Sequence, residues 1–410
     1  MTELRVLHKD HWDRWYGQLL RAFGGAGDLP EERDLWDALT EPERSLGLWD
    51  GESCVGTAGA FSFRLSVPGG ALVPAAGVTM VSVAATHRRR GLLRSMMRRQ
   101  LDDVRERGEA LAVLTASEPD IYGRFGYGSA TRQLSVEIDT TRVRIEAPEG
   151  TDAVALRYAS PADPATGRSI EEIYARAVPV RPGMLARQPG WERLSLLDPP
   201  EGRDGASPLQ CVLAERDGES LGFALFATTG DSDAGGANGA VRVREVYGLD
   251  PASYAALWRF LCGIDLTWTV TARRRPVDDP LLHLVSDVRR SGLRIRDDLY
   301  LRPVEVGAAL AARTYRAPVD VVLEVADAFC PWNAGRVRLS GDGDGAVCGP
   351  TTDAADLSLS VREIGAAYLG GATLRELADA GRVRELRPGA LASASAAFGS
   401  EVAPWLPHGF

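Results

Sequence analysis

Arg88-Arg89-Arg90-Gly91 stands between two contrasting stretches, and its residue types suit the capture of an anion. Before it, Val78–Ala84 is β-branched and apolar, which predicts a buried strand. After it, Leu92, Leu93, Met96, Met97, Leu101 and Val104 recur on one side of a helical period, so Ser95–Arg107 reads as a helix with a stop at Gly108. A strand, a glycine turn and a helix start bring free amide groups and the positive end of the helix dipole to one point. Gly91 lets the backbone approach a bulky phosphate, and Arg88, Arg89, Arg90 and Arg94 neutralise it. The turn is neither a Walker loop nor a GxGxxG dinucleotide turn. A cationic helix entry that holds no ligand is the plainer alternative.

Other reactive constellations are missing from the sequence. His8, His11, His87, His283 and His408 form no metal-binding pair, no thiol–histidine spacing suggests a nucleophile, and there is no Gly-x-Ser-x-Gly elbow. No metal is expected. Cys54, Cys211, Cys262, Cys330 and Cys348 are scattered and odd in number, and read as reduced thiols of a cytoplasmic protein. The N-terminus has no apolar secretion segment, and no run approaches the roughly 18 apolar residues that a membrane span needs. A net charge of −9 argues against general nucleic-acid binding and favours a cationic partner. Lys9 is the sole lysine.

At 410 residues the chain is too long for one core. Residues 4–23 read as a helix carrying Trp12, Trp15, Leu19, Leu20 and Phe23, and Pro30–Leu39 as another carrying Trp36. These aromatics are core on the simplest reading. Leu46–Asp50, Cys54–Leu65 and Val78–Ala84 predict an antiparallel meander. Ala110–Ala116 is a further strand, and Leu134–Asp139 is expected to close the first unit. After Pro148-Glu-Gly150 the element order repeats: a helix in Pro161–Ala177, a hairpin Cys211–Glu215 with Leu221–Thr228, a Gly/Asp/Ser loop Gly230–Gly239, a strand Val241–Leu249, a helix Pro251–Gly263, and strands at Trp268–Arg273 and Leu293–Arg302. Val246-Tyr-Gly-Leu-Asp-Pro-Ala252 stands where the arginine-rich turn would be, so this repeat is expected to bind no coenzyme. From Pro303 the texture becomes α+β, and Asp342-Gly-Asp-Gly345 is too short for a calcium loop.

Arg88-Arg-Arg-Gly-Leu-Leu93 resembles the pyrophosphate loop of the GNAT acetyltransferases, Arg/Gln-x-x-Gly-x-Gly/Ala, with Leu93 in place of the usual small residue. The wider stretch Val83–Arg94, with Ala116-Ser-Glu118 and Ile121-Tyr-Gly-Arg-Phe-Gly-Tyr-Gly128 after it, is more specific. It resembles the Eis (enhanced intracellular survival) family of actinobacterial N-acetyltransferases, over the whole chain and including the terminal Phe410.

The resemblance implies an α/β (α+β) chain of two tandem GNAT domains, 1–146 and a degenerate 147–300, followed by a sterol-carrier-like domain, 301–410. It implies acetyl-CoA as co-substrate, held by Val81, Ser82 and Val83 through the pantetheine arm and by Arg88, Arg89, Arg90, Gly91, Leu92, Leu93 and Arg94 at the pyrophosphate, with Ser117 and Glu118 beside the thioester. Tyr122 matches the family's general acid, with Tyr127 a neighbouring competitor; a phenol of pKa near 10 is a reasonable proton donor to a thiolate of pKa about 8.5. The general base is the C-terminal carboxylate, here that of Phe410 after the proline-stiffened Pro404-Trp-Leu-Pro-His-Gly409. The family more often ends in an acidic-aromatic pair, which leaves His408 as a candidate to share or replace the base. Trp12, Phe23 and Trp36 match the aromatic wall of the amine cavity. Aminoglycosides are the family's best-known acceptors, a cavity of that kind admits several poses and hence several sites of acetylation, and a homohexamer is expected. The rival reading is an acyl-CoA-sensing lipid carrier or scaffold without turnover.

Overall fold

The computed structural model describes residues 2–25, 27–233 and 236–410. The chain begins with β1 (Thr2–Val6), α1 (Trp12–Ala22), α2 (Pro30–Leu39), β2 (Leu46–Asp50), β3 (Ser53–Ser66), β4 (Leu72–Val83), α3 (Leu92–Glu106), β5 (Leu111–Thr115), α4 (Pro119–Tyr122), β6 (Gly128–Ser129) and β7 (Arg132–Asp139). It continues through β8 (Ala155–Ala159), α5 (Pro164–Ala177), β9 (Leu185–Ala186), α6 (Glu192–Leu196), β10 (Gln210–Arg216), β11 (Glu219–Thr229), the short β12 (Ser232–Asp233) and β13 (Gly236–Ala237), β14 (Gly239–Gly248), α7 (Pro251–Cys262), β15 (Thr267–Arg275), α8 (Leu281–Leu284), β16 (Arg294–Asp297) and β17 (Leu299–Pro303). The last part holds α9 (Val306–Ala311), β18 (Val319–Ala326), β19 (Gly335–Gly341), β20 (Ala346–Pro350), β21 (Leu357–Ser360), α10 (Val361–Ala367), α11 (Leu374–Asp379), β22 (Arg384–Glu385) and α12 (Ala390–Phe398).

Three larger sheets result. The first runs β1-β2-β3-β4-β5-β17-β6 with β9 beside β3, the second β16-β7-β15-β14-β11-β10-β8, and the third β20-β19-β18-β21-β22. In each of the first two, one parallel pair, β4 with β5 and β14 with β15, sits inside an otherwise antiparallel sheet. The helix connecting each parallel pair, α3 or α7, covers one face: Met97, Leu101 and Val104 pack over the first sheet, Leu257, Trp258 and Leu261 over the second.

Several expectations need correction. Residues 4–6 are strand, not helix: Leu4 and Val6 face β2 in register with Leu48 and Leu46, and the helical spacing takes hold only at Trp12. β7 does not close the first sheet; it lies in the second, between β15 and β16. The single strand expected at Leu293–Arg302 is two strands in two sheets, β16 against β7 and β17 between β5 and β6. Asp298 is the break. Its carboxylate is buried and accepts Gln133 Nε2 at 3.0 Å and Arg274 Nη1 at 3.2 Å, a polar knot that no continuous strand could hold. The two units therefore exchange strands. Of the loop expected at Gly230–Gly239, residues 234 and 235 lie outside the described residues, and β12 and β13 pair on either side of them.

Arg302 on β17 ties this exchange to the third unit. Its guanidinium is fully buried, pairs with Asp327 at 2.5 Å and donates to the carbonyl of Phe125, three residues past Tyr122. Asp327 also accepts the amides of Phe329 and Cys330 at 3.1 and 2.8 Å and the Asn333 side-chain amide at 3.1 Å. Removing one member of a buried pair leaves the other charge uncompensated. Arg302→Ala is expected to destabilise the protein by about 3–5 kcal/mol and to loosen the Phe125 turn, measured as a lower urea midpoint together with faster proteolysis around residues 119–127.

Candidate active site

β4 and β5 pair only at Ala75–Leu111, Ala76–Ala112 and Gly77–Val113, after which β4 runs on alone to Val83. Alternate backbone groups along Val78–Val83, Val81 and Val83 among them, thus border a gap with no strand to pair them. A bulge opposite Thr57–Gly59 and a left-handed Met80 (φ 52°) turn β4 at this point, and the Thr57 hydroxyl holds the Met80 carbonyl at 2.6 Å. Thr57 also meets the Ser82 hydroxyl at 2.7 Å, so Ser82 is buried on the β3 side.

Beyond β4 the turn reaches α3 through two left-handed residues, Arg89 (φ 63°) and Gly91 (φ 77°). The α3 start, at Leu92 and Leu93, has no side-chain cap. Its first amides are left for an outside acceptor, and a Cβ at Gly91 would meet nothing within 4 Å. Arg88, Arg89 and Arg90 are exposed around this opening, with Arg90 donating to the Thr86 carbonyl at 2.9 Å. Arg94 instead lies over the Phe329 ring at 5.3 Å, next to Arg98 at 4.2 Å, so α3 is clamped by the third unit. Open strand edge and uncapped helix suit the pantetheine amides and the pyrophosphate of a coenzyme A-type substrate.

Ser117 and Glu118 are exposed at the end of β5, and Glu118 begins α4. Tyr122 ends α4, half-buried against the core under α3. Burial, with the Glu118 charge second, pushes its phenol up to about 12, so it stays protonated. Tyr127 lies at 6.1 Å, edge to face with Tyr122, but is wholly buried and cannot reach a substrate. Of the two phenols, only that of Tyr122 is partly exposed.

On the other face of the same strand a set of rings converges. Phe61 and Phe63 of β3 each stand 4.9 Å from Trp191 of the second unit; Trp36 lies 6.3 Å from Phe61 and 6.4 Å from Trp191. Phe410 completes the set, its ring 5.0 Å from Phe63. A Cβ at Gly77, the last paired residue of β4, would overlap the Phe63 ring and come within 3.3 Å of Phe410. The end of the chain is thus seated where the strands part. Trp12 lies outside this set: it is 5% exposed, stacked on Tyr16 at 4.5 Å and bonded to the Thr40 hydroxyl at 3.1 Å. Phe23 stands 59% exposed at the end of α1. Phe61, Phe63 and Trp191 had no distinguishing mark in the sequence, where alternating aromatics on a strand read as core.

The tail leading to Phe410 is fastened to the second unit. The Ala403 carbonyl accepts Arg181 at 2.7 Å, the Ala403 amide donates to Asp278 at 2.8 Å, and the Trp405 amide donates to the Pro182 carbonyl at 2.8 Å. Trp405 Nε1 donates to the Arg274 carbonyl at 2.5 Å, and Arg275 lies over its ring at 5.1 Å. His408 is buried with Nε2 3.2 Å from the Tyr174 hydroxyl. Burial, and then the Arg187 charge, holds its imidazole down at about 3. It is neutral near pH 7.

In the second unit, pairing of β14 with β15 stops at Val243–Ala272, and a bulge at Leu225–Phe226 repeats the first unit's. Here, however, the opening is filled. Arg275 donates to the Val246 carbonyl at 3.0 Å, and the Trp405 ring lies 5.6 Å from Tyr247. The helix start is occupied too, because the Asp250 carboxylate caps α7 by accepting the Ser253 amide at 2.8 Å. The turn expected to bind no coenzyme contains its own anion.

Residues 3–130 match an acetyltransferase (GNAT) domain family, residues 183–303 a second acetyltransferase (GNAT) domain family and residues 306–407 a sterol carrier protein domain. An uncharacterized N-acetyltransferase of Streptomyces avermitilis is 64% identical over 409 residues, covering 100% of both chains. The N-acetyltransferase Eis of Mycobacterium tuberculosis is 35% identical over 405 residues, covering 95% of this chain and 96% of that one. The crystal structure of Eis1 from Mycobacterium abscessus superposes with a TM-score of 0.83 at 35% identity, covering all of both chains. Among the described residues no helix is long and apolar enough to cross a membrane. With two GNAT sheets, one open slot and a carrier-like third unit, the chain belongs to the Eis family of GNAT N-acetyltransferases, for which acetyl-CoA is the implied co-substrate.

Proposed function

We propose that this protein transfers the acetyl group of acetyl-CoA directly to amines of cationic small molecules such as aminoglycosides, at more than one position, with Tyr122 as general acid and the terminal carboxylate of Phe410 as general base. One observation carries the reading: the uncapped α3 start and unpaired β4 edge lie beside a phenol kept neutral, and the chain's last ring rests on Gly77 of that same strand. The coenzyme is assigned to Val81, Ser82, Val83, Arg88–Arg94, Ser117 and Glu118, and the amine to the space walled by Trp36, Phe61, Phe63 and Trp191. Trp12 supports that wall from beneath, and Phe23 is assigned to its outer rim. Asp28, Glu32 and Asp37, all in the stretch that carries Trp36, supply negative charge for a cationic acceptor.

In the step itself the carboxylate takes the ammonium proton, and the free amine attacks the thioester carbon. The C–N bond forms, the oxyanion collapses, the C–S bond breaks, the departing thiolate takes the Tyr122 proton, and the surplus proton on the new amide nitrogen passes to the phenolate, directly or through water, which restores the phenol. His408 is a poor substitute base. Its imidazole is already neutral, but protonation is opposed by burial and by Arg187, and Nε2 is occupied by Tyr174. Glu109 is bound by Arg44 at 2.6 Å and Glu245 by Arg187 at 2.9 Å, so neither of these buried carboxylates is free to take a proton. The domains are assigned as 1–146, 147–300 and 301–410 with β7 and β17 exchanged, acting in the cytoplasm as a homohexamer; a stable monomer in sedimentation refutes the assembly.

Mass spectrometry of an aminoglycoside panel after incubation with acetyl-CoA tests the reaction: stepwise gains of acetyl groups are expected, and no acetylation of any polyamine overturns it. Tyr122→Phe is expected to lower kcat about 10²-fold or more while coenzyme affinity changes little, because only a transition-state proton donor is lost. Deleting Phe410, or extending the chain beyond it, is expected to abolish turnover without unfolding the protein. Full activity in either variant returns the base to a side chain.

A further inference from the structure

The face of the second sheet turned away from α7 carries a hollow of about 660 Å³ beside the point where β14 and β15 part. Arg242 and Arg244 of β14, Arg273 and Arg274 of β15 and Arg294 of β16 line it, against only two carboxylates, Glu137 and Asp204. Three of the arginines have acidic partners: Arg244 reaches Asp198 at 3.5 Å as well as the Leu197 carbonyl at 2.6 Å, Arg274 reaches Asp298 at 3.2 Å, and Arg294 reaches Glu137 at 3.7 Å. Among the described residues neither Arg242 nor Arg273 pairs with an acid. A chain with a net charge of −9 has no general surplus of cations to scatter here. Arg242 and Arg273, crowded into one concavity with three further guanidinium groups, carry positive charge that no carboxylate of the described residues offsets, and an added anion would relieve their repulsion.

Guanidinium forks match phosphate oxygens, and the volume falls in the roughly 300–1,000 Å³ range of small-molecule sites. The charges are gathered in a hollow rather than along a stripe, which suits a compact ligand better than a nucleic acid. We propose that this hollow binds a small molecule bearing two or more phosphate groups, separately from the coenzyme loop. Its wall also touches the tail. The Arg274 carbonyl accepts Trp405 Nε1, and the Arg274 guanidinium lies 3.1 Å from where a Cβ on Gly409 would stand. An anion that draws Arg274 from Asp298 is therefore felt at the end of the chain. The binding itself does not depend on the catalytic reading above.

Inorganic pyrophosphate titrated calorimetrically into protein already saturated with coenzyme A, at low salt, tests the site with the first loop filled. One further site per chain is expected, weakened by added salt and at least about tenfold weaker in Arg242→Gln/Arg273→Gln, whose two exposed side chains leave the fold and the coenzyme affinity unchanged. No binding to the coenzyme-saturated protein, or equal affinity in the double variant, overturns it. A double variant that changes the sedimentation coefficient but not pyrophosphate binding also overturns it, marking the face as a contact between copies.

Discussion

Two parallel strands that separate after three pairs are the constraint on which the molecule is built. Backbone groups freed in this way cost free energy unless something else satisfies them, so the gap after Gly77 and Val113 has to be held open and its groups met by solvent or by a bound molecule. The gap is held open by the bulge in β4 with its left-handed Met80 on one side, and by β17 drawing β5 toward β6 on the other. Gly77 sits at the fork because nothing larger would leave room for Phe63 and Phe410. The second unit repeats the fork and resolves it in the opposite way, by its own Arg275 and a tryptophan from the tail. One geometry, open in one copy and closed in the other, distinguishes a substrate slot from a scaffold.

The exchange of β7 and β17 makes the scaffold serve the slot. Neither sheet is complete without a strand from outside its own stretch of chain, β17 in the first and β7 in the second, so the units cannot turn freely about a linker. Asp298, at the crossing between β16 and β17, is buried enough that its carboxyl is pushed up to about 6, with Arg274 opposing the shift. Four residues further on, Arg302 reaches both the Phe125 carbonyl and Asp327, so the turn that carries Tyr122 is braced by the third unit. The same crossing thus meets the tail through Arg274 and the tyrosine turn through Arg302.

Much of this was legible in the residues. The β3–β4 meander, α3 and its glycine turn follow from apolar period and from Gly91, whose φ is left-handed and which leaves α3 without a side-chain cap. The absence of an arginine-rich turn from the second unit was readable too, but the Asp250 cap that fills its helix start was not singled out. The strand exchange was not. β7 alternates and β17 is buried throughout, and such patterns say which residues of a strand are covered but not which sheet it joins. Trp12 and Trp36 look alike in sequence, yet one is stacked in the core on Tyr16 and the other faces Trp191, some 155 residues away in the chain, and no local pattern carries that pairing.

The tail illustrates how a polar end is kept in an apolar setting. Pro404, Trp405, Leu406 and Pro407 are buried, and the chain is fastened by main-chain bonds to Arg181, Pro182 and Asp278 rather than by side-chain salt bridges. His408 is the one ionisable side chain within the last eight residues that is buried, and burial with Arg187 keeps it uncharged. Its stability contribution is present above its ordinary pKa of about 6.5 and is lost as pH falls toward 3, because the unfolded chain then binds the proton that the folded chain refuses. A charged imidazole beside Arg187 would push the tail out, and the neutral one stacks 6.3 Å from Trp191 as another wall of the aromatic set. The histidine is thus packed into the seat of the last residue, between Trp191 and the Tyr174 hydroxyl.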